Sequence, residues 1–239
     1  MDPYISSFQN ESLDLKGSIP LFPLPNLVLM PGEPMPLHIF EERYKIMMDK
    51  SLAGNRLLLL GHQKVESSDQ KITKDSIYPI AGIGRIVMDE QLEDGRFNLI
   101  LLGIQRVRIE KITTHFPYPK AEVSLIPDIL ADLKISSTTI SELESDILQL
   151  AQQVYQLAGD DYFSESLAPK LLENLAPGMM SLSAICDLIA TLIIFSAQEK
   201  QMILNSINVI ERAEKLIFLL QFYLRSAQIT NPHLKKQIH

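Results

Sequence analysis

The most informative stretch of the chain is PLFPLPNLVLMPGEPMPLHIFEERY, residues 20–44. Prolines recur throughout it, and because proline fixes φ and has no backbone N–H, such a stretch favours short strands and turns over helix. It ends in Glu41 and Glu42, whose carboxylates favour the positive end of a helix dipole. The sequence therefore predicts short strands around a single short helix at residues 41–52.

Strand signals continue beyond this stretch. Asp94-Gly95 separates two β-capable runs, residues 83–88 and 97–102, and Asp-Gly is a strong hairpin signal because it accepts positive φ. Residues 106–112 and 120–126 alternate between polar and apolar side chains, as half-buried strands do. The first half is therefore predicted to be rich in strands.

Composition changes near residues 127–131. Eight of the ten glycines and eleven of the fourteen prolines lie before this point, and the apolar residues after it recur with helical spacing. Thr139, Ser196 and Asn208 each precede a glutamate by three residues, which is a helix-start signal. The predicted helices are 139–158, 164–174, 182–195, 197–205 and 208–228. The predicted parts are a polar tail (1–16), a strand-rich part (17–128) and a helical part (129–239).

Charge and composition narrow the class of protein. The chain has 239 residues and a net charge of −7, whereas a nucleic-acid binder needs concentrated positive charge, so nucleic acid is not an expected partner. The single cysteine, Cys186, excludes an internal disulfide and fits a reducing compartment. The start lacks a secretory signal, and the longest uncharged apolar run, 188–197, is about half a membrane span. A cytoplasmic protein without membrane contact is expected.

Motifs for catalysis or cofactor binding are not found. Gly82-Ile83-Gly84 begins like a dinucleotide fingerprint, but Val87 stands where the third glycine belongs. The five histidines form no i, i+3 or i+4 pair, which argues against a metal site. No P-loop or nucleophile elbow is present in the sequence. Cys186 is expected to be a core residue of an apolar helix. We expect no catalytic residues, cofactor or metal.

The stretch at residues 20–44 resembles the opening of the Lon protease N-terminal domain. Further segments match that family in order and spacing: Gly82-Ile83-Gly84, Asp94-Gly95-Arg96, Leu102-Gly103, Arg106-Val107, Ala121-Glu122-Val123, Leu188-Ile189-Ala190, Glu199-Lys200-Gln201, and Asn208-Val209 with Arg212. The resemblance extends over most of the chain.

The resemblance implies an α+β fold: a PUA-like, β-rich pseudo-barrel with one short helix, followed by a C-terminal helical bundle. Full-length Lon proteases continue into ATPase and peptidase domains whose motifs this sequence lacks. A stand-alone, non-enzymatic recognition module is therefore expected, with polypeptide segments or a partner protein as its ligands. Self-association or work as an adaptor for a protease would fit, and a small-ligand or RNA-binding PUA-like protein is the alternative reading.

Candidate contact residues follow from methionine usage. The chain has nine methionines and no tryptophan, and methionine adapts well to varied apolar partners. Met30 and Met35 frame a proline-rich loop, and Met179 and Met180 follow a Pro-Gly turn. These four and His38 are the candidates for peptide or partner binding. The alternatives are gap-filling in the core for each methionine and a structural hydrogen bond for His38.

Overall fold

The computed structural model describes residues 13, 15–64, 72–130, 137–158, 168–193 and 195–230. The chain divides into two compact units, unit 1 (Met1–Pro127) and unit 2 (Asp128–His239). Most of the predicted N-terminal tail lies outside the described residues. Asp128, which the sequence assigns to the first part, lies in unit 2.

Unit 1 is a strand-rich pseudo-barrel. Its elements are β1 (Ile19–Leu24), β2 (Pro34–Ile39), α1 (Glu42–Leu52), β3 (Leu57–His62), β4 (Ile80–Gln91), β5 (Phe97–Thr114) and β6 (Lys120–Leu125). The strand order is β2-β5-β4-β3-β1-β6, and β6 also pairs with β5. Strands β5, β4, β3, β1 and β6 therefore close into a ring, with β2 attached outside it. The β1–β3 pair is parallel and the others are antiparallel.

The predicted hairpin at Asp94-Gly95 is confirmed. Strand β4 pairs with β5 along its length, and Gly95 has a φ of 78°, in the region that glycine adopts without strain. The connection is closed by a hydrogen bond from the backbone N–H of Leu92 to the carbonyl of Arg96 (2.8 Å). The short helix is also confirmed, with Glu42 in its first turn and Glu41 at the N-cap.

The prediction of two separate strands at residues 97–102 and 106–112 is wrong. Both belong to the single 18-residue strand β5. Its pairing with β4 shifts register between Ile83 and Gly84, so a bulge stands where the sequence suggests a break. The first part of β5 pairs with β2 and the second part with β6. Strand β5 therefore pairs with the strands at both ends of the sheet order, β2 and β6.

Two glycines allow the segment 28–30 to lie against the sheet. A Cβ added to Gly82 would lie 2.2 Å from the carbonyl oxygen of Leu29, and one added to Gly103 would lie 2.0 Å from that of Met30. Both distances are far below van der Waals contact. Leu29 and Met30 are completely buried. Gly103, and Gly82 of the stretch that resembles part of a nucleotide motif, therefore serve backbone packing.

Unit 2 is helical. Its described helices are α2 (Ser137–Ala158), α3 (Ala168–Asn174), α4 (Leu182–Leu192), α5 (Ala197–Asn205) and α6 (Val209–Thr230). The predicted helix at 182–195 is too long, because Ile193 already has an extended backbone (φ −88°, ψ 137°). Residues 164–167, the start of another predicted helix, lie outside the described residues. The remaining helices agree with prediction to within two residues at each end.

Two of the three predicted helix starts are confirmed. Ser196 and Glu199 form a reciprocal capping box at the start of α5. The side-chain oxygen of Asn208 accepts a hydrogen bond from the backbone N–H of Ile210 (2.9 Å) at the start of α6. The predicted start at Thr139 is wrong, because α2 already includes Ser137 and Thr139 lies inside the helix.

A buried arginine joins the helices of unit 2. Arg212 on α6 is completely buried and donates to the carbonyl oxygen of Ser206 (2.8 Å) and to Ser183 Oγ (2.8 Å). Its guanidinium also lies 2.5 Å from Asp128 Oδ1 and 3.7 Å from Asp187 Oδ1. Because a buried charge is tolerated only with such partners, this network fixes the positions of α4 and α6.

Candidate binding face

The predicted contact residues differ in accessibility. Met30 and Met35 are buried in unit 1, with 0% and 6% of their surface exposed. His38 is exposed on β2 of the same unit. In unit 2, Met179 is 61% exposed and Met180 is half-buried. Only His38, Met179 and Met180 therefore present side-chain surface that a partner could touch in this conformation.

His38 lies on an exposed sheet surface formed by three neighbouring strands, which we call the outer face. Aligned residues of β4, β5 and β2 form three rows across it. The rows are Arg85–Leu102–Pro34, Met88–Ile100–Pro36 and Glu90–Asn98–His38. Since aligned residues of adjacent strands point to the same side, each row lies on one surface.

The centre of the outer face is apolar. Met88 is 62% exposed, Pro34 and Pro36 are exposed, and Ile100 and Leu102 are half-buried. The alternate residues of β2 and β5 point into the core, where Leu37 and Leu101 are buried. The sheet is therefore apolar on both sides here, whereas a strand with one wet face normally alternates.

A hydrogen-bonded row borders this apolar surface. His38 Nδ1 lies 2.7 Å from Asn98 Oδ1, and Asn98 donates from Nδ2 to Glu90 Oε2 (3.3 Å). Arg96 Nη1 lies 3.2 Å from His38 Nε2. Because an amide oxygen accepts and a guanidinium donates, these two contacts are compatible when Nδ1 of His38 donates to Asn98 and Nε2 accepts from Arg96. The expected structural role of His38 and its exposure on this face are thus compatible.

The hairpin end of the outer face carries an ion pair. The backbone N–H of Arg96 donates to Asp94 Oδ1 at 3.1 Å, and its side chain donates to Oδ2 at 2.7 Å. These hydrogen bonds, the backbone one foremost, lower the pKa of the Asp94 carboxyl below its ordinary value. Asp94 therefore stays ionised and keeps the Arg96 side chain directed along the edge of the face.

Tyr44 on α1 belongs to the core beneath the strands. It is 4% exposed and its ring packs edge-on against Phe22 at 4.6 Å between centroids. Burial raises the pKa of Tyr44 to about 12, although the guanidinium of Arg43, 4.5 Å from the ring centroid, acts in the opposite direction. Tyr44 is therefore a neutral packing residue near neutral pH and not a proton donor or acceptor for chemistry.

Two prolines weaken the free edge of β2 as a partner for another strand. In the described sheet β2 pairs on one side only, with β5. The carbonyl of Glu33 accepts from the backbone N–H of Gly103 (2.8 Å), so within β2 the alternation of an antiparallel pair directs the backbone groups of Met35 and Leu37 toward β5. Pro34 and Pro36 therefore face the outer edge, where neither can donate a hydrogen bond. A strand added at this edge would find no N–H donor at these two positions, which favours a polypeptide held through side chains on the outer face.

The sequence prediction missed Met88, Ile100 and Leu102 as accessible apolar residues. A signal was present, since residues 99–102 form an uninterrupted apolar run and one side of such a strand must face outward. What the run does not reveal is the pairing partner on each side. The register that aligns Met88, Ile100 and Pro36 is set by the bulge between Ile86 and Met88.

The described residues also bear on the expectations for a metal site, for Cys186 and for membrane contact. Within them, no three His, Cys, Asp or Glu side chains come together as a metal-binding group. Cys186 is completely buried, as predicted for a core residue. A candidate membrane-spanning segment is not found among the described helices.

Comparison with known proteins agrees with the fold. Residues 18–221 match the ATP-dependent protease La (LON) substrate-binding domain family. The chain is 30% identical over 223 residues to the Lon protease of Dictyoglomus thermophilum, and 26% identical over 211 residues to that of Buchnera aphidicola subsp. Baizongia pistaciae. These alignments cover 93% and 88% of this chain, but only 26% of either relative.

Solved structures show the same fold. The N-terminal domain of Mycobacterium avium complex Lon protease superposes with a TM-score of 0.64 at 16% identity, covering 86% of this chain and 98% of that one. A Lon N-terminal domain protein from Xanthomonas campestris gives a TM-score of 0.56 at 19% identity, covering 84% and 97%. The pseudo-barrel, the helical unit and the match over residues 18–221 together show that the chain belongs to the Lon substrate-binding domain family.

Proposed function

We propose that the chain binds extended, apolar polypeptide segments on the outer face of unit 1, as a recognition module without chemistry of its own. The observation that carries this proposal is the exposed apolar surface of Met88, Pro34 and Pro36 on a sheet whose opposite side is already core. The family description as a substrate-binding domain supports a polypeptide ligand. The single, buried Cys186 fits work in a reducing compartment such as the cytoplasm.

The rows of the outer face suggest how a segment is held. Apolar side chains of the bound segment would cover Met88 and Ile100, while its backbone N–H groups could donate to the carboxylate of Glu90 at the polar border. Because Pro34 and Pro36 supply no N–H donors at the edge, recognition depends on the apolar side chains of the segment, in no fixed order of residues. Such broad recognition suits a module that binds many different unfolded chains.

The size of the surface limits the affinity. An apolar patch of roughly 400 Å² contributes on the order of 10 kcal/mol gross at about 25 cal/mol per Å². Association itself costs an estimated 4–15 kcal/mol. A single outer face should therefore bind weakly and release readily.

Replacing Met88 with glutamate tests the proposal. The variant should bind a fluorescently labelled, reduced and carboxymethylated α-lactalbumin at least about 10-fold more weakly, because a carboxylate must lose water when apolar side chains cover it. Fluorescence anisotropy with the full chain measures the change. Met88 is 62% exposed, so the substitution should leave the fold intact.

Phe116→Ser is the matched control. Phe116 is 85% exposed in the connection between β5 and β6, away from the aligned rows of the outer face. Its removal takes away a larger exposed apolar side chain and should leave binding unchanged. Equal affinity of the wild-type chain and the Met88→Glu variant, or a loss confined to the Phe116→Ser variant, would contradict the proposed site.

A further inference from the structure

Helix α6 presents a second apolar surface that the proposed function does not use. Phe218, Phe222 and Ile229 are 67%, 59% and 78% exposed. At 100° per residue they fall within about 40° of one another around the helix. The opposite side of α6 is the core side, with Ala213, Leu216 and Leu220 completely buried. The helix is thus apolar on two sides, one of which faces solvent.

The exposed charges on this side of α6 are Glu211, Glu214 and Arg225, and the last two flank the phenylalanines in a nearly symmetric order. Glu214 precedes Phe218 by four residues and Arg225 follows Phe222 by three. Glu214 and Arg225 are eleven residues apart, so they lie about 16 Å apart along the axis and within about 20° of each other around it. Both are exposed, and in the described part of the chain neither forms an ion pair.

We propose that α6 pairs antiparallel with α6 of a second copy of the chain. Reversing the helix about a point between Phe218 and Phe222 places each of these rings opposite the other in the partner. The same operation places Glu214 within one residue of Arg225 at both ends of the contact, and Ile229 opposite Glu211 at its margin. Since the two-fold operation brings the same surface of both copies together, the interface closes as a dimer.

The order of charges selects the antiparallel arrangement. In a parallel pair, Glu214 would face Glu214 of the second copy and Arg225 would face Arg225. Like charges at such short distances repel. An antiparallel pair joins opposite charges twice and stacks aromatic rings at its centre, a favourable arrangement for aromatic side chains. Self-complementarity of this kind favours a second copy over an unrelated helix as the occupant.

The interface is small. Two phenylalanines and one isoleucine per copy, with their flanking charges, supply less than the roughly 800 Å² per partner of a standard interface. The dimer should therefore form in the range of about 10–100 µM and dissociate on dilution. The sedimentation coefficient of the full chain should rise with protein concentration across this range.

Charge exchange tests both the surface and its direction. Glu214→Arg and Arg225→Glu should each be monomeric at about 200 µM in sedimentation velocity, because each places like charges opposite each other at both ends. An equimolar mixture of the two variants should dimerise again, since every contact then joins an arginine to a glutamate. An unrelated contact would not regain dimers on mixing. The double variant Glu214→Arg with Arg225→Glu gives the direction, because in an antiparallel pair it should dimerise with itself and not with the wild-type chain, whereas a parallel pair would favour the mixed dimer.

Removing the two phenylalanines tests the apolar centre of the contact. Phe218→Ser with Phe222→Ser should abolish association even in the mixture, and circular dichroism confirms that these exposed substitutions preserve the helices. A wild-type chain that stays monomeric at about 200 µM, or charge variants that associate like the wild type, would overturn the proposal. The measurement contains no peptide, so it fails or succeeds independently of binding at the outer face.

Discussion

Replacing Gly103 with alanine is expected to destabilise unit 1 by roughly 3 kcal/mol, at the upper end for overpacked sites. The added Cβ would lie 2.0 Å from the carbonyl oxygen of Met30 and 3.0 Å from its carbon. Neither atom can move alone, because both belong to the backbone of a completely buried segment. Strand β5 or the segment at residues 28–30 must shift, and the outer face lies on that strand.

Gly17→Ala is the matched control for this prediction. Gly17 has a φ of +82° but nothing within 4 Å of the added Cβ, so alanine there costs only the backbone penalty of about 1–2 kcal/mol. Urea unfolding followed by circular dichroism should rank Gly103→Ala clearly below Gly17→Ala in stability. A Gly103→Ala chain as stable as the control would show that the segment does not lie against Gly103.

Replacing Arg212 with methionine is expected to destabilise unit 2 by about 3–5 kcal/mol, the usual cost of breaking a buried charge network. The substitution preserves an apolar stem but removes hydrogen bonds to Ser206 and Ser183. It also removes the positive charge beside Asp187, which is 5% exposed. The carboxylate is then buried without that compensation.

Arg96→Met provides the comparison for an exposed arginine. Its partner Asp94 is half exposed, and pairs of this kind contribute about 0–1 kcal/mol. Calorimetry should show a large downward shift of the unit 2 transition for Arg212→Met and little change for Arg96→Met. Adding Asp187→Asn to the Arg212→Met chain should recover part of the loss, and a purely additive result would argue against the network.

The features that sequence reasoning predicted are local ones. Asp94-Gly95 specifies its turn through the φ of one glycine, and Ser196 with Glu199 specifies a helix start within four residues. The closing of the barrel depends instead on β5, which bends at a bulge and pairs with β2, β4 and β6. No local pattern encodes a bulge opposite Gly84, so the sequence suggests two strands where there is one.

In the candidate site, too, the accessibility of a residue depends on contacts that are distant in sequence. Met30 is buried because two glycines distant in sequence, Gly82 and Gly103, allow its backbone segment to lie against the sheet. Met88 is accessible because register places it beside Ile100 on the side of the sheet away from the core. Both methionines look alike in the sequence. Burial is decided by pairing across strands, which residue type alone does not reveal.

The most direct test of binding at the outer face uses the ε-methyl signals of the methionines. The full chain, labelled at these methyls, is titrated with reduced and carboxymethylated α-lactalbumin and followed by NMR. We predict that the Met88 signal shifts and broadens during the titration while the signals of buried Met30 and Met35 stay in place. Shifts confined to Met179 and Met180, or an unchanged Met88 signal when the ligand is bound, would contradict recognition at the outer face.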